Sequence, residues 1–359
     1  MEKNESNNLA KTYCDCLVVL DDDNRFFYSK LRTSFGAVLV YGDHRVYISD
    51  GRYEYFLKSH LMGWEIVCTN GAQLFDTIAK ECAKRGVARL GFENATILKT
   101  QYDGLIKSLS TAIPTGCTLV PCSDKIRDEK SIKNAEMIEC TAEAQRIAEE
   151  TLAKVIPLIK IGITEREIAA RIEYEMILLG AETKSFDTIV AFGENSAKPH
   201  HAPSYRKFAK GDIVLVDMGC KFGGYCSDMT RTFFLSESDN QELITIHGVV
   251  TEAQKYAIKN TRPGMTCGEV DAMCREYIKS NGYEKEFSHG TGHGVGIAVH
   301  EYPRVGAGSE DILKEGMIIT IEPGIYVQGL GGVRMEDMVV VTHDGVRNFT
   351  KFSKNLYSK

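Results

Sequence analysis

The chain writes the same capped helix twice. Gly162-Ile-Thr164-Glu-Arg-Glu167-Ile168, followed by Ile172, Met176 and Gly180, matches Gly264-Met-Thr266-Cys-Gly-Glu269-Val270, followed by Cys274, Ile278 and Gly282, at a constant offset of 102. In each copy a threonine stands at a helix N-cap and a glutamate follows three residues later, so that each side chain satisfies a backbone N–H near the other. Apolar residues then recur at helical spacing and a glycine closes the segment. Capping boxes are common, and one copy would mean only a helix. A constant offset over several positions points to duplicated half-domains, which would place a cleft between them with strands supplied by each half.

Five potential metal ligands lie across the same region: Asp217, Asp228, His293, Glu322 and Glu336. From Ile213 to Leu235 two apolar runs flank Gly223-Gly224, which is how a β-hairpin is written, and Asp217 and Asp228 are expected to face each other across it. His293 sits in His289-Gly-Thr-Gly-His293-Gly-Val-Gly-Ile-Ala-Val-His300, where glycines let the backbone pass close to a ligand. Glu322 and Glu336 each adjoin an apolar run and a turn. Four carboxylates and an imidazole carry more charge than one divalent ion balances, whereas two ions bridged by shared carboxylates and a hydroxide match it. Hard oxygen donors with one imidazole suit Mn²⁺, Co²⁺, Fe²⁺ or Zn²⁺, and ligand type alone does not choose among them.

Taken singly, each of these residues has an ordinary reading. A lone acid at a strand end is usually a solvated turn residue. His289, His293 and His300 could mark one helix face, but Gly290, Gly292, Gly294 and Gly296 disfavour a helix there. Those glycines do not make a nucleotide loop, since no G-x-G-x-x-G register fits and no Gly-Lys-Ser/Thr follows. His300-Glu301 begins like a zincin helix, yet Pro303-Arg304 stands where that helix would continue.

The combination is more specific than its parts. With His200 in Pro199-His200-His201 and His300 in His300-Glu301-Tyr302-Pro303, the five ligands resemble the metallopeptidase family of methionine aminopeptidase, aminopeptidase P and prolidase, from about Glu129 to the chain end. Gly193-Glu-Asn-Ser-Ala-Lys-Pro-His200-His201, His300-Glu-Tyr-Pro-Arg304 and Ile321-Glu-Pro-Gly-Ile-Tyr326 are similar to its proline-specific branch. The resemblance implies an α/β (α+β) fold in which a creatinase-like N-terminal domain, residues 1–125, precedes a pita-bread catalytic domain, residues 126–359, made of pseudo-twofold half-domains.

The same resemblance implies two divalent metal ions, Mn²⁺ foremost with Co²⁺, Zn²⁺ or Fe²⁺ as alternatives. Asp228 and Glu336 would bridge them, Asp217 would hold one, and His293 with Glu322 the other. A hydroxide between the ions would attack the scissile carbonyl, with Glu322 also carrying the proton. His200 and His300 would hydrogen-bond the carbonyl oxygen or the amide being cut. His289, Tyr326 and Arg334 would support the ligands, Arg334 from the same side of a strand as Glu336. Arg304 could meet the carboxylate end of a short peptide through its planar fork. The implied activity is that of an Xaa-Pro aminopeptidase acting on peptides with proline second. Xaa-Pro dipeptidase is the alternative, followed by methionine aminopeptidase, a creatinase-like hydrolase or a non-catalytic binding protein. A homodimer is also implied.

Composition fits such an enzyme. At 359 residues, 43% hydrophobic and 26% charged, the chain can build two ordinary globular cores. A net charge of −6 gives no reason to expect nucleic acid. The polar start Met1-Glu-Lys-Asn-Glu-Ser-Asn-Asn and the lack of any bilayer-length apolar run lead to the expectation of a cytoplasmic protein with no membrane partner. Eleven cysteines without paired CxxC spacing read as free thiols; Cys14-Asp-Cys16 is too little for a metal site, and Cys220 and Cys226 read as packing residues. From Thr12 to Val120, short apolar runs alternate with helical stretches such as Leu74–Lys84, an α/β pattern. Pro121–Asp128 is the expected crossing into the second domain, which opens with the helical pattern Ile132, Ala135, Ile138, Ala142.

Overall fold

Each apolar run expected in the N-terminal part is a strand. The computed structural model describes residues 12–357, in two units, one ending at Lys130 and the other beginning at Ser131. In the first, the elements run β1 (Cys16–Val19), α1 (Asp22–Ser29), β2 (Ala37–Tyr41), β3 (His44–Ser49), α2 (Glu54–His60), β4 (Glu65–Cys68), α3 (Leu74–Lys84), β5 (Arg89–Phe92), α4 (Lys99–Ala112) and β6 (Thr118–Pro121). The strands form one mixed sheet, ordered β4-β3-β2-β1-β5-β6. Helices α3 and α4 bury Ile78, Cys82, Leu105 and Leu109 with Val18, Leu39, Ile48 and Leu90 of the sheet.

The crossing is more structured than expected. Thr118–Pro121 is a strand, and Ser123–Ser131 is a helix, α5, where the sequence marked only the crossing between domains. β6 has only partly buried or exposed residues and ends at a proline, features typical of a sheet edge that weaken its sequence signal. The next helix, α6 (Ala135–Val155), begins after Asn134, whose side chain accepts the Met137 N–H at 3.0 Å. Ile132 therefore precedes the helix rather than opening it, because the asparagine cap sets the start.

The second unit continues with α7 (Glu165–Leu178), β7 (Thr183–Lys184), β8 (Ile189–Phe192), β9 (Ile213–Met218), β10 (Cys220–Phe222), β11 (Tyr225–Cys226) and β12 (Met229–Phe234). Then follow α8 (Gln241–Asn260), α9 (Cys267–Ser280), β13 (Gly292–Gly294), β14 (Glu301–Val305), β15 (Ile318–Ile321), β16 (Gly324–Val327), β17 (Gly331–Arg334), β18 (Asp337–Val341) and β19 (Val346–Asn348). In one half, α6 and α7 pack on the antiparallel β12-β9-β8 sheet through Ile147, Leu152, Ile168, Ile172, Met176, Val214 and Val216. In the other, α8 and α9 pack on the sheet β14-β13-β15-β18-β19 and on β17 through Ile246, Val250, Val270, Cys274, Ile278, Ile319 and Val339.

The repeated residues do the same work in both halves. Ile168, Ile172 and Met176 enter one core, and Val270, Cys274 and Ile278 enter the other. Thr164 accepts the Glu167 N–H at 3.2 Å while Glu167 accepts the Thr164 N–H at 2.9 Å; the pair Thr266 and Glu269 repeats this at 3.1 and 2.7 Å. Replacing either threonine by alanine removes one of these reciprocal bonds and is expected to destabilise the protein by about 1 kcal/mol. Equilibrium urea unfolding should show a lower midpoint with an unchanged slope, and an unchanged midpoint would mean that the cap contributes nothing.

All eleven cysteines are free. Cys220 and Cys226 are buried and donate to the carbonyls of Ala144 and Ile297, as packing residues do. No helix among the described residues is long and apolar enough to cross a membrane.

Candidate metal centre

Strand alternation aims the candidate ligands. In β9, Val214, Val216 and Met218 face the helices, so Asp217 projects from the opposite face. In β15, Ile319 and Ile321 enter the core, which leaves Thr320 and the following Glu322 on the other side. Glu336 occupies the break between β17 and β18. All five candidate ligands, four acids and one histidine, line one cavity of about 760 Å³, together with His200, His289, His300, Arg304 and Arg334.

The hairpin expectation needs correction. Asp217 pairs in register with Thr230, and Asp228 lies one residue before β12, so the two carboxylates do not sit directly opposite. The Gly223-Gly224 turn, with φ of 57° and 79°, closes a separate small hairpin of β10 and β11 that joins β7. Gly219 makes this detour possible: a Cβ there would lie 1.9 Å from the Ser227 carbonyl oxygen. The excursion brings the chain back so that Asp228 meets the cavity from the end of the sheet.

Distances within the cluster are short. His293 Nε2 lies 3.4 Å from Glu322 Oε1 and 3.6 Å from Asp228 Oδ2. Donor atoms of Asp228, His293 and Glu336 all fall within 4.8 Å of one another, a spacing suited to a shared cation. His293 Nδ1 is 3.0 Å from the Gly294 carbonyl, which can only accept, so Nδ1 carries the hydrogen and Nε2 is left as a donor atom for a metal. Gly292 permits the close passage of this strand, since a Cβ would come 2.1 Å from the Thr320 carbonyl oxygen.

Hydroxyls that the sequence did not single out align the carboxylates. Thr230 Oγ1 donates to Glu336 Oε2 at 2.7 Å and accepts Arg334 Nε at 2.9 Å. Thr320 Oγ1 accepts the His293 N–H at 3.1 Å and lies 3.3 Å from Glu322 Oε1. On α9, Asp271 accepts both N–H and Oγ–H of Thr291 while Arg275 donates to the Phe287 and His289 carbonyls, bracing the strand that carries His293. An Asp and an Arg four apart on a helix look like a surface pair in sequence, so this role had no signal.

Arg334 ends β17 rather than sharing a strand with Glu336, but both turn to Thr230. Its guanidinium donates to Asp217 Oδ2 at 2.6 Å and to the Tyr326 hydroxyl at 2.9 Å, and that hydroxyl reaches His289 Nε2 at 2.9 Å. Tyr326, His289 and Arg334 thus form one chain of hydrogen bonds ending on Asp217. Arg304 lies on β14 directly opposite His293 in the strand register, with its side chain exposed along the cavity. His200 and His300 are exposed on the same cavity wall, and the His300 ring meets His293 edge-on at 4.4 Å between centroids.

The electrostatics call for a cation. Burial, then the charges of Glu336, Asp217 and Glu322, push Asp228 well above the usual carboxylate range, and burial with Glu322 and Asp217 does the same to Glu336. Burial raises Glu322 to about 8, with Asp217 adding to the rise and Arg334 opposing it. Burial lowers His293 to about 4. Asp217 Oδ1 is buried without a hydrogen-bond partner. Acids that resist ionising together, an imidazole held neutral and an orphaned carboxylate oxygen fit divalent metal ions, which favour deprotonated ligands.

Comparison with known proteins agrees. Residues 139–343 match the model of metallopeptidase family M24, and residues 6–132 match the creatinase/prolidase N-terminal domain. The chain belongs to metallopeptidase family M24. It is 46% identical over 233 residues to an Xaa-Pro dipeptidase of Pyrococcus furiosus, covering 65% of this chain and 67% of that one. Its structure is similar to that of an Xaa-Pro dipeptidase from Bacillus anthracis, with a TM-score of 0.90 at 34% identity, covering 96% and 95% of the two chains. It is also similar to an X-Pro aminopeptidase from Thermotoga maritima, with a TM-score of 0.89 at 30% identity, covering 96% and 97%.

Proposed function

We propose that the protein is a dinuclear metallo-exopeptidase that hydrolyses the bond between a free N-terminal residue and a following proline. The observation that carries this reading is the convergence of Asp217, Asp228, His293, Glu322 and Glu336 on one cavity wall beside His200 and His300. Two cations, Mn²⁺ foremost, would be held by those five residues and would supply Lewis acidity and an acidified water.

The chain's own groups do the rest. Hydrolysis adds the oxygen of water to the carbonyl carbon and a proton to the proline nitrogen. Glu322, beside His293 at the cavity wall, is the group that can hold that proton in transit. Partial desolvation on the cavity side of the His300 ring, and then His200, lower its pKa and favour the neutral imidazole, whose N–H can donate to the carbonyl oxygen as charge develops there. His200 donates from the neighbouring loop. The Arg334–Tyr326–His289 chain fixes the direction of the Asp217 carboxylate. A homodimer, with residues 1–125 as the creatinase-like domain, completes the proposal.

Aminopeptidase activity on longer peptides is the first reading. Arg304 on the cavity wall favours a second, dipeptidase activity, because a guanidinium fork suits a proline carboxylate. If it clamps that carboxylate, Arg304→Ala should lower kcat/KM for an Xaa-Pro dipeptide by about 10- to 100-fold, a charge-assisted bond being worth roughly 1.5–3 kcal/mol. An Xaa-Pro-Xaa tripeptide should be little affected. Steady-state assays of both peptides with both proteins decide: better native cleavage of the tripeptide and equal effects of the variant support the aminopeptidase. No turnover of either peptide by metal-loaded protein would sink both readings.

A further inference from the structure

We propose that Glu165 is a positioning residue for His200, acting through the loop on which that histidine stands. The inference rests on the function proposed above, in which His200 faces the substrate. Glu165 is the first residue of α7, and its side chain is wholly buried. Its carboxylate accepts five hydrogen bonds, and every one comes from the segment 192–204. Oε1 takes the Phe192 N–H at 2.8 Å and Asn195 Nδ2 at 3.0 Å. Oε2 takes His201 Nε2 at 2.8 Å, the Ser204 N–H at 2.9 Å and Ser204 Oγ at 2.6 Å.

The segment needs such an anchor. After β8 it makes a single 3₁₀ turn, Gly193–Ala197, and then runs through Pro199 to Ser204 without a strand ladder. The neighbours of His200 are tied on both sides. The Pro199 carbonyl accepts Arg334 Nη1 at 3.2 Å, from the same guanidinium that holds Asp217, and the His201 ring is held by Glu165. His200 between them is exposed to the cavity. Its ring can keep a fixed place only if both flanking residues do.

The duplicated half shows that the fold itself does not require this carboxylate. At the same offset of 102 the residue matching Glu165 is Cys267, also fully buried at the start of its helix. Both residues donate their backbone N–H across to the chain that follows, Glu165 to the Arg206 carbonyl and Cys267 to that of Asp311. A small apolar side chain therefore serves at this corner. Only the half that carries His200 places an acid there, at a helix N-terminus where backbone N–H groups favour an anion. Burial works against its charge, but the bonds from Ser204, Asn195, Phe192 and His201 outweigh it and hold the carboxyl below the usual range.

The test is a double-mutant cycle on the metal-loaded protein with an Xaa-Pro-Xaa tripeptide. Glu165→Gln keeps the shape but turns an NH₂ toward donors, so it is expected to lower kcat by about 10- to 100-fold, the scale of a misplaced catalytic group. Metal content should not change. In a His200→Ala background the same substitution should cost less than about twofold, since the group it positions is gone. A full multiplicative loss in that background, or a native kcat for Glu165→Gln, overturns the positioning role and leaves the proposed function intact. A His200→Ala variant with native turnover overturns the role of His200 and this proposal with it. Should Glu165→Gln fail to fold, Ser204→Ala removes one of the five bonds and enters the same cycle with the same decisive outcome.

Discussion

Asp228→Ala or Glu336→Ala is expected to release at least one metal ion per chain and to lower turnover by about 10³-fold or more, because Lewis-acid and nucleophile generation together contribute several kcal/mol. Both carboxylates lie within the cluster that also holds His293 Nε2, so each loss touches the whole site. Elemental analysis of the purified variants beside a peptide assay checks it. Native turnover with full metal content in either variant would remove these residues from the site. The same substitutions carry an opposite expectation for metal-free protein. There, crowded buried acids oppose one another, and removing one relieves that cost. Thermal unfolding in chelator should start no earlier for the variants than for the native chain, while added metal should stabilise only the native chain strongly.

His300→Ala is expected to reduce kcat on an Xaa-Pro peptide by about 10²- to 10³-fold, the usual effect of losing one donor to a developing oxyanion. Metal content should stay as in the native protein, because His300 meets His293 only edge to face and stands outside the group of Asp228, His293 and Glu336 donor atoms. A fall in bound metal would make His300 a ligand and require a different coordination scheme. A rise in KM alone, with kcat kept, would make it a contact formed equally in the ground state.

Much of the architecture is local and therefore legible. Helix α3 runs from Leu74 to Lys84 as its periodicity suggests. The two capping boxes at Thr164 and Thr266 form because the bonds involved span three residues and depend on nothing farther away. The short edge strand β6 and the start of α6 were not legible in the same way. A four-residue strand acquires its pairing from β5, and Asn134 sets the helix start against the apolar pattern that began at Ile132.

The sequence by itself determined the chemistry available: which acids and imidazoles could bind a hard cation, that the chain is built from a repeated half, and that the proline-branch motifs accompany them. Only the tertiary structure decided how those groups meet. Asp217 faces Thr230 rather than Asp228, because Gly219 lets the chain detour through β10 and β11 before β12 begins. Thr230 links Arg334 to Glu336, Asp271 and Arg275 brace the His293 strand, and Glu165 gathers the loop around His200, all across separations that leave no periodic trace. The physical reason is the range of the interactions. Propensity, capping and strand alternation act over a few residues and can be read along the chain, whereas a buried polar group is satisfied by whatever donor the packing of distant strands brings within 3 Å or so, and that is a property of the folded chain.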